Sequence, residues 1–473
     1  MTDTPRKRPN ILFIMSDDHA SHAMSCYGSA INRTPHLDRI AEGGMRFDNC
    51  FCTNSICSPS RATILTGTYN HVNGVTTLHT HWDNTQTTVA GLLRDAGYQT
   101  AIVGKWHLGQ GPEHWPTGFD YWNILPGQGK YHDPDMVEMG EERVYEGYVS
   151  DIITDLSLKW LDQRDPDKPF MLMLHHKAPH RHWEPAERYK DLYAGEDIPI
   201  PETFWDDHSG HASAAREANM RVADMPKIDY KVDPPEGLEG EDLAKWKYQR
   251  YIKDYLRCVA SIDDSTGRVL DWLDANGLAE DTIVCYTSDQ GFYLGEHGWF
   301  DKRFMYEESL RMPFVVRYPR EIAPGSVCDE IALNVDMPLT FLDYAGVEAP
   351  PHMQGVSFRP LLQGRKPDGW QQSMYYRYWM HGEKSHNTTA HYGVRTKRYK
   401  LIYYYGDGMG LAGTHPPKRP PEWELFDLEK DPCEMQSVYH LPEYAEVVEE
   451  LKAELNRLQK QVGDEPYVSG SNE

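Results

Sequence analysis

Uninterrupted apolar runs punctuate the first two thirds of the chain: ILFIM at 11–15, TAIV at 100–103, FMLML at 170–174 and TIVCYT at 282–287. None alternates with polar residues, as a strand with one wet face would, so each predicts a strand buried on both sides. Between them lie amphipathic stretches with helix punctuation. TPHLDRIAEGG (34–44) carries a Thr cap, Pro at the first helical position and a terminal Gly, and TTVAGLLRDAGY (87–98) stops at Gly97. Residues 248–277 place Ile252, Leu256, Val259 and Ile262 at helical spacing and stop at Asn276-Gly277. Strands alternating with helices predict a large, mostly parallel α/β sheet with helices on both faces.

The pattern changes twice. Residues 191–245 are Pro-rich, acidic and weakly periodic, which predicts a surface insertion. Beyond residue 365 come aromatic, strand-like runs: SMYYRYW (373–379), HYGVRT (391–396), YKLIYYY (399–405) and WELFDL (423–428). A charged helix then carries Val448, Leu451, Leu455 and Leu458 on one face. The organisation expected is a main domain over 1–365 and a C-terminal subdomain over 366–473, a small antiparallel sheet with a helix.

Composition narrows the function. The 473 residues are 40% hydrophobic with a net charge of −24 and no long basic run, which argues against nucleic acid as a partner. No apolar run is long enough to span a bilayer. The run at 11–15 is too short for a signal-peptide core and ends in two acids, so a cytoplasmic address is expected. Eight cysteines are scattered rather than spaced as a disulfide framework or a zinc motif.

The chemistry gathers just past the strand ends, where ligands bind in such sheets. Asp17, Asp18, Asp289 and Gln290 form an all-oxygen donor set suited to Ca²⁺ or Mg²⁺. Arg61, Lys105, His107, His180 and Lys302 supply donors for a tetrahedral oxyanion beside that cation. Cys57, just ahead of a predicted helix, is either a thiolate acidified by the helix N-terminus and Arg61, or the precursor of another nucleophile. A soft thiolate suits a hard cation poorly.

At this point the chain resembles a known family. CSPSRATILTG (57–67) is similar to the C-x-P-x-R signature of the type I sulfatases, whose cysteine is oxidised to Cα-formylglycine. PNILFIMSDDH (9–19), TPHLDRIAEGGMRF (34–47), GKWHLG (104–109), KAPH (177–180), the run from Ser288 to Pro313, and WELFDLEKDP (423–432) resemble sulfatase segments in the family's order. The resemblance implies an alkaline-phosphatase-like fold, a cation held by Asp17, Asp18, Asp289, Gln290 and the group at Cys57, and a partner enzyme that generates formylglycine. Gln290 stands where many members have Asn or His. The hydrated aldehyde would attack sulfur, with Arg61 steadying it, Lys105, Lys302 and His180 holding sulfate oxygens, His180 or Lys302 protonating the leaving group and His107 acting as base. The bacterial glycan sulfatases of the N-acetylglucosamine-6-sulfatase type look most similar, so a sulfated carbohydrate is the expected substrate, with Trp183, Arg303, Arg377, His391 and Arg395 as candidate contacts. The alternatives are an arylsulfatase, a phosphonate monoester or phosphodiester hydrolase, and a non-catalytic binding protein.

Overall fold

The structure, a computed structural model, describes residues 8–468. Ten strands form the main sheet: β1 (Asn10–Ser16), β2 (Met45–Phe47), β3 (Gln99–Lys105), β4 (Tyr121–Leu125), β5 (Asp135–Glu138), β6 (Glu141–Val144), β7 (Phe170–His175), β8 (Thr282–Ser288), β9 (Phe314–Arg317) and β10 (Ser326–Cys328). Their order is β10-β2-β9-β8-β1-β7-β3-β4-β5-β6. The centre, β8-β1-β7-β3-β4, is parallel throughout, and these include the four apolar runs. Both edges carry antiparallel pairings, β9 with β8 and β2 on one side and β5 with β4 and β6 on the other.

Alternation along β1 divides the core. Ile11, Phe13 and Met15 join one apolar cluster, Leu12 and Ile14 the other. The second face is covered by α1 (Pro35–Glu42), α4 (Val149–Gln163) and the long α5 (Gly240–Ala275). The first takes α2 (Cys57–Thr66), α3 (Val89–Asp95), α6 (Met337–Ala345) and the C-terminal residues. Thr34 does not cap α1 with its side chain; Asp263 of α5 accepts from His36 N and Leu37 N at 2.9 and 2.8 Å instead. The first helix is thus capped across the core by the longest one. Gly104 is required where β3 passes β7, because a Cβ there would lie 1.9 Å from the His175 carbonyl oxygen, and its φ is +110°.

Four antiparallel strands, β11 (Ser373–Tyr378), β12 (His391–Thr396), β13 (Tyr399–Tyr404) and β14 (Glu422–Asp427), pair in sequence order. The helix α7 (Ala445–Val462) buries Val448, Leu451, Leu455 and Leu458. This unit grips the main domain at two loops. Tyr376 OH accepts from Ser55 N at 3.0 Å and donates to the Arg303 carbonyl at 2.7 Å, which ties the segment before Cys57 to the one after Lys302.

The stretch 191–245 is less superficial than expected. Phe204, Asp206, His208, His211 and Asp229 are buried, and α5 already begins at Gly240 because Ala244, Lys247 and Tyr248 fall on its inward face. No helix among the described residues is long and apolar enough to cross a membrane.

Candidate active site

The parallel register brings the site together. Ser16 ends β1 directly beside Ser288, which ends β8, so Asp17-Asp18 and Asp289-Gln290 leave the sheet side by side. Asp289 N donates to Ser16 O at 3.2 Å and Asp18 N to Asp289 Oδ1 at 3.3 Å. Lys105 is the last residue of β3, and the turn after β7 delivers His180. Asp18, His107 and Arg303 adopt left-handed backbone, φ 67°, 55° and 107°, a concentration of strain typical of a functional centre.

Carboxylate oxygens of Asp17, Asp18 and Asp289 lie within 4.8 Å of one another, all buried. The cations around them are divided. Arg61 donates from Nε to Asp289 Oδ2 at 3.0 Å and from a terminal nitrogen to the Lys105 carbonyl at 2.9 Å, with its other terminal nitrogen 3.0 Å from Asp289 and 3.4 Å from Asp17. Lys105 pairs with Asp17, and Lys302 Nζ is 2.5 Å from Asp18 Oδ1. Burial works to raise the Asp17 pKa, but Lys105, His180 and Arg61 hold it well below the usual range. For Asp18 burial wins, with Asp17 and Asp301 adding repulsion against Lys302, and the group is pushed up to about 7; burial, then Asp17, also raises Asp289.

Two acceptors in this cage are orphaned. Asp18 Oδ2 and Gln290 Oε1 are buried and accept no hydrogen bond, although buried oxygens are ordinarily satisfied. Oxygen donors, repelling carboxylates and unspent acceptors together fit a hard divalent cation.

Cys57 opens α2, with every residue of that helix buried. Its Sγ is 3.5 Å from Asp17 Oδ1. The acidified thiol expected from the helix N-terminus and Arg61 is corrected here. Burial, then the Asp17 carboxylate, raises the Cys57 pKa above that of an ordinary thiol, against Lys302 and Lys105. As a thiol, Cys57 is a poor nucleophile in this place.

The two histidines face the centre as neutral rings. Burial and then Lys105 hold both well below the usual imidazole value. His180 Nδ1 donates to the Arg181 carbonyl at 2.7 Å, leaving Nε2 3.7 Å from Asp18 Oδ2. His107 Nδ1 is buried without a hydrogen-bond partner, and the His107 carbonyl accepts from Ser58 Oγ at 2.6 Å.

A cavity of about 1090 Å³ opens beside His180, lined among others by Gln128, Tyr131, Lys177, Arg181, Asn219 and His386. Asn219, Asp224 and Pro226 bring the 191–245 stretch to its rim. A second cavity, about 550 Å³, reaches Ser58 and His107 from another side.

The expected substrate contacts fare differently. Trp183 is wholly buried against Tyr251, Phe292 and Phe300. Arg377 is spent on Asp464 at 2.8 Å and on the faces of Trp379, Tyr392 and Tyr405. Arg395 meets both Glu307 oxygens at 3.2 Å over the Phe51 ring, and His391 is stacked between Tyr376 and Tyr378. All four are engaged in these contacts, and none lines the cavity. Arg303 stays near the centre through its neighbour Lys302, with a nitrogen 3.2 Å from Tyr378 OH and Nε 3.5 Å from Asp301. The cavity's basic residues Lys177, Arg181 and His182 were missed, although the run HHKAPHRH at 175–182 announces them by its density of basic residues.

A sulfatase family model matches residues 9–347, more than two thirds of the chain. The chain belongs to the sulfatase family. A model described as N-sulphoglucosamine sulphohydrolase, C-terminal, matches residues 295–461 of this sulfatase. An N-acetylglucosamine-6-O-sulfatase from Bacteroides thetaiotaomicron is 43% identical over 504 residues, covering 97% of this chain and 87% of its own. An arylsulfatase from Clostridium perfringens is 27% identical, covering 98% and 97%. A solved protein in complex with its substrate, D-glucosamine-2-N,6-O-disulfate, matches with a TM-score of 0.90 at 42% identity, over 97% of this chain and 98% of that one. The protein is therefore a sulfuric ester hydrolase of alkaline-phosphatase-like fold, from a family that generally uses a formylglycine and a divalent cation.

Proposed function

We propose that this sulfatase removes a 6-O-sulfate from a glucosamine-type sugar. The observation that carries the reading is that His180, whose Nε2 lies 3.7 Å from Asp18 in the buried cage, also lines an open cavity large enough for a sugar. The names carried by the matches above 40% identity support the choice of sugar.

Asp17, Asp18, Asp289 and Gln290 would hold the cation, Ca²⁺ by the number of carboxylates. When bound, the cation supplies charge to polarise the sulfate, and a formylglycine at position 57 supplies an oxygen nucleophile. The rest falls to the chain's own residues. Arg61 fixes Asp17 and Asp289 in place. Lys105 and Lys302 stand over the carboxylates with protons left to give to sulfate oxygens. His180 holds its Nδ1 proton on a carbonyl, so an arriving anion raises the proton affinity of Nε2 and binds the resulting imidazolium. His107, neutral and with a free Nδ1, is the acceptor for a proton from the residue-57 side. Because Cys57 and all of α2 are buried, a formylglycine-generating enzyme would have to act before this segment folds.

The test is relative kcat/KM on N-acetylglucosamine 6-sulfate, a simple aryl sulfate and a phosphonate monoester. The sugar ester is expected to lead. Faster turnover of the phosphonate would overturn the reaction class, and a preference for the aryl ester would overturn the sugar.

A further inference from the structure

The cavity that takes the sugar is rich in basic side chains, and carboxylates already hold most of them. Arg181 donates from Nε to Asp229 Oδ1 at 3.1 Å and from a terminal nitrogen to Asp229 Oδ2, with its other terminal nitrogen 3.7 Å from Asp301. Both carboxylates are buried. His182 Nδ1 lies 2.8 Å from the same Asp229, and His386 stands between Glu383 at 2.8 Å and Asp301 at 3.1 Å. Lys130 pairs with Asp135. Lys177 forms no ion pair among the described residues, but it is 3% exposed, and burial, then Lys105, brings it down to about 8 against Asp17 and Glu184.

Two carboxylates of the lining are not matched in this way. Glu184 and Asp224 are exposed, line the cavity and form no ion pair among the described residues. Asn219 adds an exposed, uncharged amide. The chain as a whole carries a charge of −24, so its field adds to theirs. A sulfate ester at C6 reaches the cage through the carbon carried on C5, and C2 lies across the pyranose ring from C5. The substituent on C2 is thus directed away from the cage, towards the open cavity and its carboxylates.

We propose that Glu184 and Asp224 make this site select a 6-sulfated glucosamine whose 2-nitrogen is acetylated over one whose 2-nitrogen is sulfated, an inference that rests on the sugar reading of the site. An acetamide is neutral and suits an amide such as that of Asn219. An N-sulfate brings a second negative charge to a lining that has no exposed, unmatched cation. The repulsion acts through space and is screened by salt, so it needs no contact with either carboxylate. The charge on the 2-substituent is the same before and during sulfur–oxygen cleavage, so KM carries the difference and kcat does not.

The experiment measures kcat/KM on N-acetylglucosamine 6-sulfate and on N-sulfoglucosamine 6-sulfate for wild type, Glu184→Gln and Asp224→Asn. It is run at an ionic strength of about 20 mM and again at about 1 M, where the Debye length falls to about 3 Å. Wild type is expected to favour the acetylated sugar at least about fivefold at low salt, through KM, and each variant to reduce that ratio about two- to fivefold. High salt should shrink the wild-type ratio and erase the difference between wild type and variants. Glu184→Asp, which keeps the charge, should keep the ratio. Equal turnover of the two sugars by wild type, or a preference for the N-sulfated one, would overturn the proposal and leave the sugar reading standing. Variants that change both sugars alike, or a ratio indifferent to salt, would overturn it as well. If wild type cleaves 4-nitrophenyl sulfate and neither sugar, the sugar reading fails and the proposal falls with it.

Discussion

Removing Arg61 probes how the cage is balanced. Arg61→Met keeps the length of the side chain and deletes contacts to Asp289, Asp17 and the Lys105 carbonyl at 2.9 to 3.4 Å. Both partners and the arginine are almost wholly buried, so solvent screening does not soften the loss. Breaking a buried ion pair from one side costs about 3–5 kcal/mol, because a desolvated carboxylate is left without compensation. A saturating divalent cation offsets part of this by binding only the folded state, by about 4 kcal/mol at a thousand times its Kd. Urea unfolding followed by tryptophan fluorescence, with chelator and with millimolar Ca²⁺, should show the variant about 3–5 kcal/mol weaker in chelator. The gap should narrow in Ca²⁺, since a carboxylate freed of its arginine binds the cation more strongly. Arg61→Lys should fall between, keeping the charge and losing the fork. A deficit below about 1 kcal/mol in chelator, or one that Ca²⁺ leaves unchanged, would refute the account of the cage.

Three further outcomes follow from the same structure. Arg395→Met should lower stability by about 2–4 kcal/mol, through the buried Glu307 pair, with KM for the sugar ester changed less than about threefold; a large KM effect without destabilisation would restore Arg395 as a substrate contact. His211 sits between Asp206 and Glu424 at 3.0 and 3.7 Å, and these outweigh burial to push it up to about 9. Its folded pKa lies above the unfolded value, so its stabilisation is full below about pH 6.5 and is lost as pH rises towards 9, roughly 3 kcal/mol in all. His211→Gln should flatten that slope in urea midpoints between pH 6 and 9.5, and an unchanged slope would refute the assignment. Cation binding should tighten as pH rises through about 7, where Asp18 sheds its proton; calorimetric Ca²⁺ titrations giving one Kd at pH 5.5 and 8 would contradict it.

The central sheet and the donors at its strand ends were legible because local pattern suffices for both. A strand buried on two faces is an apolar run, and a ligand set at its end follows at once in the chain, as Asp17-Asp18 follows 11–15 and Asp289-Gln290 follows 282–287. The substrate contacts were not legible, for a physical reason. Arg377 and Arg395 carry charge on aromatic strands and read as available, but their partners Asp464 and Glu307 lie 87 and 88 residues away. A buried charge is explained by its partner, and no local spacing reveals one so distant.

The claim on which the mechanism turns is that Cys57, inert as a buried thiol, is the precursor of the nucleophile. Mass spectrometry of the peptide spanning residues 54–67, taken from a preparation whose sulfate release has been measured, addresses it directly. The account predicts an aldehyde in place of the thiol, in a fraction that rises and falls with specific activity across preparations. A fully active preparation carrying only the unmodified cysteine would contradict it.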